Sequence, residues 1–273
     1  MDIQLTKDIL AMVDNLPYIN NEYRETNWKH YNYYGIGVPR VSSILETCIA
    51  KPYLINWAAS LGSLDAYKTA KFQALDTGSL VHEMIEDYLI DGYTKDSYKV
   101  TKYTNELQAQ TAYWNYREFE RNLMNNGFSL DSLMLELECV GPLYGGTIDF
   151  VANINNITTL QSKTYILDFK SSNAISLDYL LQTMLYTLNI NYLKSIGDPF
   201  FSNFDIQGIG IIRIDKNRKN KYQYLLVDFE KDKEFIDQIA ITSIEMVKWF
   251  YNYKNYEAAF KDNKQLINKE ALF

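Results

Sequence analysis

Two short apolar runs, Gly145-Gly-Thr-Ile-Asp149-Phe150 and Ile166-Leu-Asp168-Phe-Lys170-Ser-Ser172, carry charge where a core strand would be hydrophobic. Burying a charge is costly unless it is paired or bound to a metal, so this placement demands a partner for each group. Side chains alternate along a strand; Asp168 and Lys170 therefore share one face, and Leu167 and Phe169 point the other way into an apolar layer. Asp149 lies on the preceding strand, far enough back to be an antiparallel neighbour. Two adjacent carboxylates raise one another's pKa unless a cation sits between them. Oxygen ligands of this kind favour a hard ion such as Mg²⁺ or Mn²⁺. A lysine beside that ion can orient or help deprotonate water, or offset charge on a phosphate, which fits metal-assisted hydrolysis of a phosphodiester. The same spacing equally describes a buried Asp168–Lys170 ion pair with Asp149 in a glycine-rich turn. The residues alone leave both readings open.

A chain of 273 residues with 47% hydrophobic and 15% aromatic content can bury a sizeable core. No run is long and apolar enough for a membrane span, and Met1-Asp2-Ile3-Gln4 lacks the basic start of a signal peptide, so an intracellular protein is expected. Cys48 and Cys139 are too few for a four-cysteine zinc or iron–sulfur site and read as packing residues. The net charge of −7 argues mildly against a nucleic-acid partner. Against that stands a local basic cluster, Arg213, Lys216, Arg218, Lys219 and Lys221, and an acidic metal site would itself contribute negative formal charge.

In chain order, a short helix is expected at Thr6–Asp14 in a region rich in aromatics (Tyr18, Tyr23, Trp28, Tyr31, Tyr33, Tyr34), which either pack or stack on bases. Ser42 or Ser43 reads as an N-cap, and Pro52 opens a second helix that Gly62 ends. Asp76-Thr77-Gly78 precedes a helix over Ser79–Leu89 whose buried face is Val81, Met84, Ile85, Tyr88 and Leu89, with His82 at its edge. A polar helix from Thr104 to Met124 ends at Asn126-Gly127. Leu133, Leu135 and Leu137 alternate with Glu136 and Glu138 as in a strand. Strands over Tyr144–Ile154 and Tyr165–Ser171 follow, then a helix capped by Ser176 and running to Leu193. Residues 206–229 read as a hairpin whose turn is the basic cluster, and a last helix starts near Lys231 and ends before Lys264. This order predicts one mixed α/β domain: a mainly helical part over 1–130, a sheet over 131–230, and a terminal helix over 231–273.

The series resembles, in order, the RecB-type branch of the PD-(D/E)XK nuclease superfamily: His82 in Gly78-Ser-Leu-Val-His82, a glutamate strand, Gly146-Thr-Ile-Asp149, Asp168-Phe-Lys170, and Gln182-Thr-Met-Leu-Tyr186. Val38-Pro-Arg-Val-Ser-Ser-Ile-Leu45 is similar to the V-P-S-V-T-x-I-L segment of phage-type members, with Arg40 in place of the usual serine. The resemblance implies a restriction-endonuclease-like core of order αβββαβ within a central mixed sheet. It implies a metal-dependent DNA exonuclease, with a structure-specific endonuclease or a non-catalytic binding module as alternatives. Asp149, Asp168, the Phe169 backbone carbonyl and His82 would hold Mg²⁺ or Mn²⁺, and Lys170 would be the catalytic lysine. Glu138, nearer the turn before Asp149, is favoured slightly over Glu136 as the site glutamate. Gln182 and Tyr186, sharing a polar stripe with Asn189, would face DNA, as would Arg213, Arg218 and Lys219. No iron–sulfur cluster is expected. The implied setting is the cytoplasm of a bacterium or phage-infected cell, with DNA bearing free ends and recombination or replication proteins as partners.

Overall fold

Residues 30–261 are described by the computed structural model; the expected helix at Thr6–Asp14, with Tyr18, Tyr23 and Trp28, lies outside them, as does Lys264. A small hairpin, β1 (His30–Tyr33) and β2 (Ile36–Pro39), leads into helices α1 (Val41–Cys48), α2 (Pro52–Ser60), α3 (Leu64–Asp91) and α4 (Glu106–Asn125). Three antiparallel strands follow, β3 (Phe128–Val140), β4 (Gly145–Asn156) and β5 (Ser162–Lys170), then α5 (Leu177–Ser195), β6 (Ile206–Ile214), β7 (Tyr222–Asp228) and α6 (Lys233–Lys261). The sheet order is β3-β4-β5-β6-β7, and only β5 and β6 run parallel. A parallel pair needs a crossover, and α5 supplies it. The fold is mixed α/β, with the order αβββαβ running from α4 to β6.

Helices cover both faces of the sheet, which is why its central strands read as near-continuous apolar runs. Ile166 and Ile211 face one layer, where α1, α5 and α6 contribute Ile44, Met184, Leu185 and Phe250. Leu167, Phe169 and Ile212 face the other, where α3 and α4 contribute Val81, Ile85, Tyr116 and Phe119. Each fully buried Leu, Ile or Met side chain contributes about 1.5–3 kcal/mol relative to exposure. Among the described residues no helix is long and apolar enough to cross a membrane.

Three local expectations change. First, α3 runs unbroken through Asp76-Thr77-Gly78, which is therefore no boundary. Its side chains serve the next segment instead: the Thr101 hydroxyl donates to Asp76, and the Thr77 hydroxyl accepts from the Asn105 N–H at 3.1 Å. Second, α1 starts at Val41 behind Arg40, so neither Ser42 nor Ser43 is its cap. Third, the three leucines of β3 do not share a face. Leu133 is exposed, Leu135 packs with the α3–α4 layer, and Leu137 with the α5–α6 layer.

The break lies at Glu136, whose φ of 46° is in the left-handed region. Glu136 falls between the registered pairs Leu135–Phe150 and Leu137–Ile148, opposite Asp149. Asp149 in turn lies one step beyond the pair Phe150–Leu167, beside Asp168. Pairing across three strands thus brings Glu136, Asp149 and Asp168 into one row. Because β6 runs parallel to β5 and Arg213 pairs with Lys170, the basic turn after Ile214 lies at the same end of the sheet.

Candidate active site

Three elements meet at this row. His82, in the middle of α3, points its ring at the end of β5: Nε2 is 3.1 Å from the Phe169 carbonyl oxygen, and Nδ1 is 3.7 Å from Asp149 Oδ2. Asp149 Oδ2 accepts the Phe169 N–H at 3.0 Å, so β5 fixes the carboxylate through its backbone. One ligand atom each from His82, Glu136 and Asp149 lie within 4.8 Å of one another. Asp168 is 2% exposed, and Lys170 Nζ sits 2.7 and 2.6 Å from its two oxygens and 5.1 Å from the centre of the Tyr179 ring. Leu167 and Phe169 point away into the apolar layer, as strand alternation requires.

The electrostatics are those of a site short of positive charge. Burial, reinforced by Asp149, pushes the Asp168 carboxyl above the usual carboxylate range against the pull of Lys170. Burial works to lower Lys170, but Asp168 and Asp149 outweigh it and hold the ammonium above its ordinary value. Burial, then Asp149 and Glu86, push Glu136 up to about 7. Asp168 Oδ2, fully buried, finds no hydrogen bond of acceptable geometry despite the nearby ammonium. A buried carboxylate beside a His–Glu–Asp set fits a hard divalent cation, which would relieve the repulsion among the carboxylates. Beside the set, α3 and Glu136 line an open cleft through Gly78, Ser79, Glu83 and Glu86.

Glu136, not the favoured Glu138, joins the cluster. Both glutamates are exposed, and position separates them: Glu138 pairs with Thr147, two residues before Asp149, whereas Glu136 lies opposite Asp149. Of the polar stripe on α5, Gln182 is half-buried, and Tyr186 and Asn189 are buried. Tyr186 is 5% exposed, and its ring lies over Gly146; its hydroxyl accepts from Gln182 at 3.2 Å. Asn189 donates to the Tyr144 carbonyl at 3.0 Å. Arg213 is corrected as well: it is 2% exposed and bonded to the Ser172 carbonyl, Gln223 and Asp215, so no surface is left for DNA. Arg218 is exposed but also pairs with Asp215, at 3.0 Å, and Lys219 is exposed on the turn.

No family model matches the chain, and no curated protein matches it. Its chemistry must be read from the site itself. A histidine, two carboxylates around one small volume, a third carboxylate buried beside them and a lysine locked onto it form a set suited to a divalent cation and an anionic substrate. Tyr31 was expected only to pack or to stack on bases. Its hydroxyl instead hydrogen-bonds Thr147 Oγ1 at 3.0 Å, on the strand that carries Asp149. Adjacent glycines at 145 and 146 are the signal that rings approach this strand closely: a Cβ would lie 2.9 Å from Tyr31 Cβ at Gly145 and 2.5 Å from Tyr186 Cε1 at Gly146.

Proposed function

We propose that this chain is a divalent-metal-dependent nuclease that hydrolyses phosphodiester bonds in DNA. One observation carries the reading: His82, Glu136 and Asp149 converge at the end of the sheet where the buried Asp168–Lys170 pair also ends. His82, Glu136, Asp149 and Asp168, with the Phe169 carbonyl, would hold Mg²⁺ or Mn²⁺. When bound, the ion supplies charge neutralisation and activation of water for attack on phosphorus. Lys170 keeps its proton, because its two carboxylate neighbours raise its pKa; its ammonium is therefore a fixed cation for the negative charge that grows on the phosphate. Asp168 holds that ammonium in place through both oxygens. Gln182 and Tyr186 brace the strand from beneath rather than touch substrate.

The order His82, Glu136, Gly146-x-x-Asp149, Asp168-x-Lys170, Gln182-x-x-x-Tyr186 supports placing the chain with RecB-type PD-(D/E)XK nucleases. That placement makes it an exonuclease on free DNA ends, acting with recombination or replication proteins in a phage or bacterium. The test is digestion of end-labelled DNA, linear against circular and single- against double-stranded, with Mn²⁺. The expected result is degradation of linear DNA alone by the wild-type protein, and none by Lys170→Ala or Asp149→Asn proteins whose circular dichroism is unchanged. Cutting of circles would make it an endonuclease; intact DNA under every condition would overturn the reading.

A further inference from the structure

The row of carboxylates has to accept a polyanion, yet several cations near it are already engaged. Lys170 is held by Asp168, Lys51 by Asp178 at 2.5 Å, and Arg213 by Asp215. Arg40 differs. It is exposed at the junction of β2 and α1, and among the described residues its guanidinium is in no ion pair; it lies over the Tyr31 ring, 5.6 Å from the centroid. Its backbone forms a parallel bridge with Gly145, the first residue of β4.

Tyr31 links this arginine to the site. Its ring crosses β4 at Gly145, where any side chain would collide with it, and its hydroxyl reaches Thr147 Oγ1 at 3.0 Å. Gly145 and Thr147 alternate to the same side of β4, so Arg40, Tyr31 and Thr147 follow the strand toward Asp149, where the two strands exchange faces. At about 3.4 Å per residue, Gly145 and Asp149 are ~14 Å apart. A stacked nucleic-acid strand carries a phosphate every ~3.4 Å, so that distance spans roughly four nucleotides, and fewer if the strand is stretched. The ring covers one face of the guanidinium, and among the described residues no acceptor takes its fork of N–H donors, which suits bidentate binding of a phosphate.

We propose that Arg40, held over Tyr31, is a phosphate-binding subsite for the nucleic-acid strand, a few nucleotides from the bond cut beside Asp149 and Lys170. The proposal rests on the nuclease reading but is tested separately from it. Steady-state kinetics compare wild-type, Arg40→Ala, Arg40→Lys and Tyr31→Phe proteins on a long single-stranded oligonucleotide and on bis(p-nitrophenyl) phosphate, which is too small to reach the subsite.

Arg40→Ala is expected to raise KM for the oligonucleotide about tenfold with kcat little changed, the loss of one charge-assisted contact. It should also lower the slope of log affinity against log salt by about 0.7. Arg40→Lys should recover the salt slope but only part of the affinity, and Tyr31→Phe should show a smaller effect of the same kind. An unchanged KM, or an equal loss on both substrates, overturns the proposal and leaves the nuclease reading intact. If the wild-type protein cuts neither substrate, that reading falls. Equilibrium binding of the oligonucleotide in EDTA then decides: weaker binding by Arg40→Ala keeps the subsite, and equal or absent binding by both proteins overturns it.

Discussion

Gly146→Ala adds one methyl group at the point where helix α5 rests on the strand that carries Asp149. The new carbon would lie 2.5 Å from Tyr186 Cε1, 2.8 Å from its hydroxyl oxygen and 3.0 Å from Cζ. Carbon atoms pack at about 3.5–4.0 Å, so ring and strand must separate by ~1 Å. The ring has little room to give, because Tyr186 is 5% exposed and its hydroxyl is held by Gln182 at 3.2 Å. Overpacking of this kind costs about 1–3 kcal/mol. At roughly 2 °C per kcal/mol for a chain of this size, Tm should fall by about 2–6 °C. Tyr186→Leu alone removes the ring and its hydrogen bond; combined with Gly146→Ala it should relieve the clash, giving a coupling of about 1 kcal/mol or more. Thermal melts of the four proteins measure that coupling. Additive losses, or a Gly146→Ala protein as stable as wild type, would refute the idea that this ring sets the seat of the strand.

Other outcomes test the remaining parts. Mn²⁺ at about 100 times its Kd should stabilise the wild-type fold by ~2.7 kcal/mol. His82→Ala and Glu136→Gln should weaken that response in melts and Glu138→Gln should not; an equal response in all three would remove the proposed ligand set. Arg213→Ala removes one of two cations on buried Asp215; because Arg218 remains, stability, read as Tm, should fall by less than about 3–5 kcal/mol, the cost of a buried charge left wholly unpaired. Lys219→Ala, on the exposed turn, should leave Tm unchanged. Burial works to raise Asp178, Asp215 and Asp228, but Lys51, the Asn217 and Arg218 contacts, and Lys163 respectively outweigh it and hold all three below their ordinary values. Their stabilisation is therefore present above about pH 4 and lost as pH falls through the lowered values, and Lys51→Met should blunt the acid loss seen in Tm against pH.

Much of this arrangement can be read in the chain because its cause is local. Strand alternation separates Asp168 and Lys170 from Leu167 and Phe169, and helical spacing gives the buried face of α3. Misreadings arise where a distant residue decides. Asp76 and Thr77 look like a helix start until their side chains bond Thr101 and Asn105, across 25 and 28 positions of chain. Gln182, Tyr186 and Asn189 look like an exposed stripe until Gly146 and Gly141 make room for the last two against β4 and its turn. Arg213 carries a local signal of its burial: Asp215, two residues on, lies on the same side of the chain and takes its charge.

Glu136 and Glu138 show why the acidic strand resists sequence reading. Unbroken alternation gives the two equal standing, since both project from the face opposite the leucines. The structure separates them by one left-handed residue. Leu135 and Phe150 pack on the α3–α4 side and Leu137 and Ile148 on the other, so β3 and β4 exchange faces together at Glu136 and Asp149. A left-handed conformation costs a residue with a Cβ about 1–2 kcal/mol, and nothing in the composition of Leu135-Glu136-Leu137 signals it. The kink turns both carboxylates out of the two apolar layers toward His82, and it adds to their mutual repulsion, which burial and Glu86 increase at Glu136. Backbone strain and charge repulsion therefore fall on the same residue. A bound cation would offset the repulsion, which makes Glu136 the position where a cost to the fold and a use in binding meet.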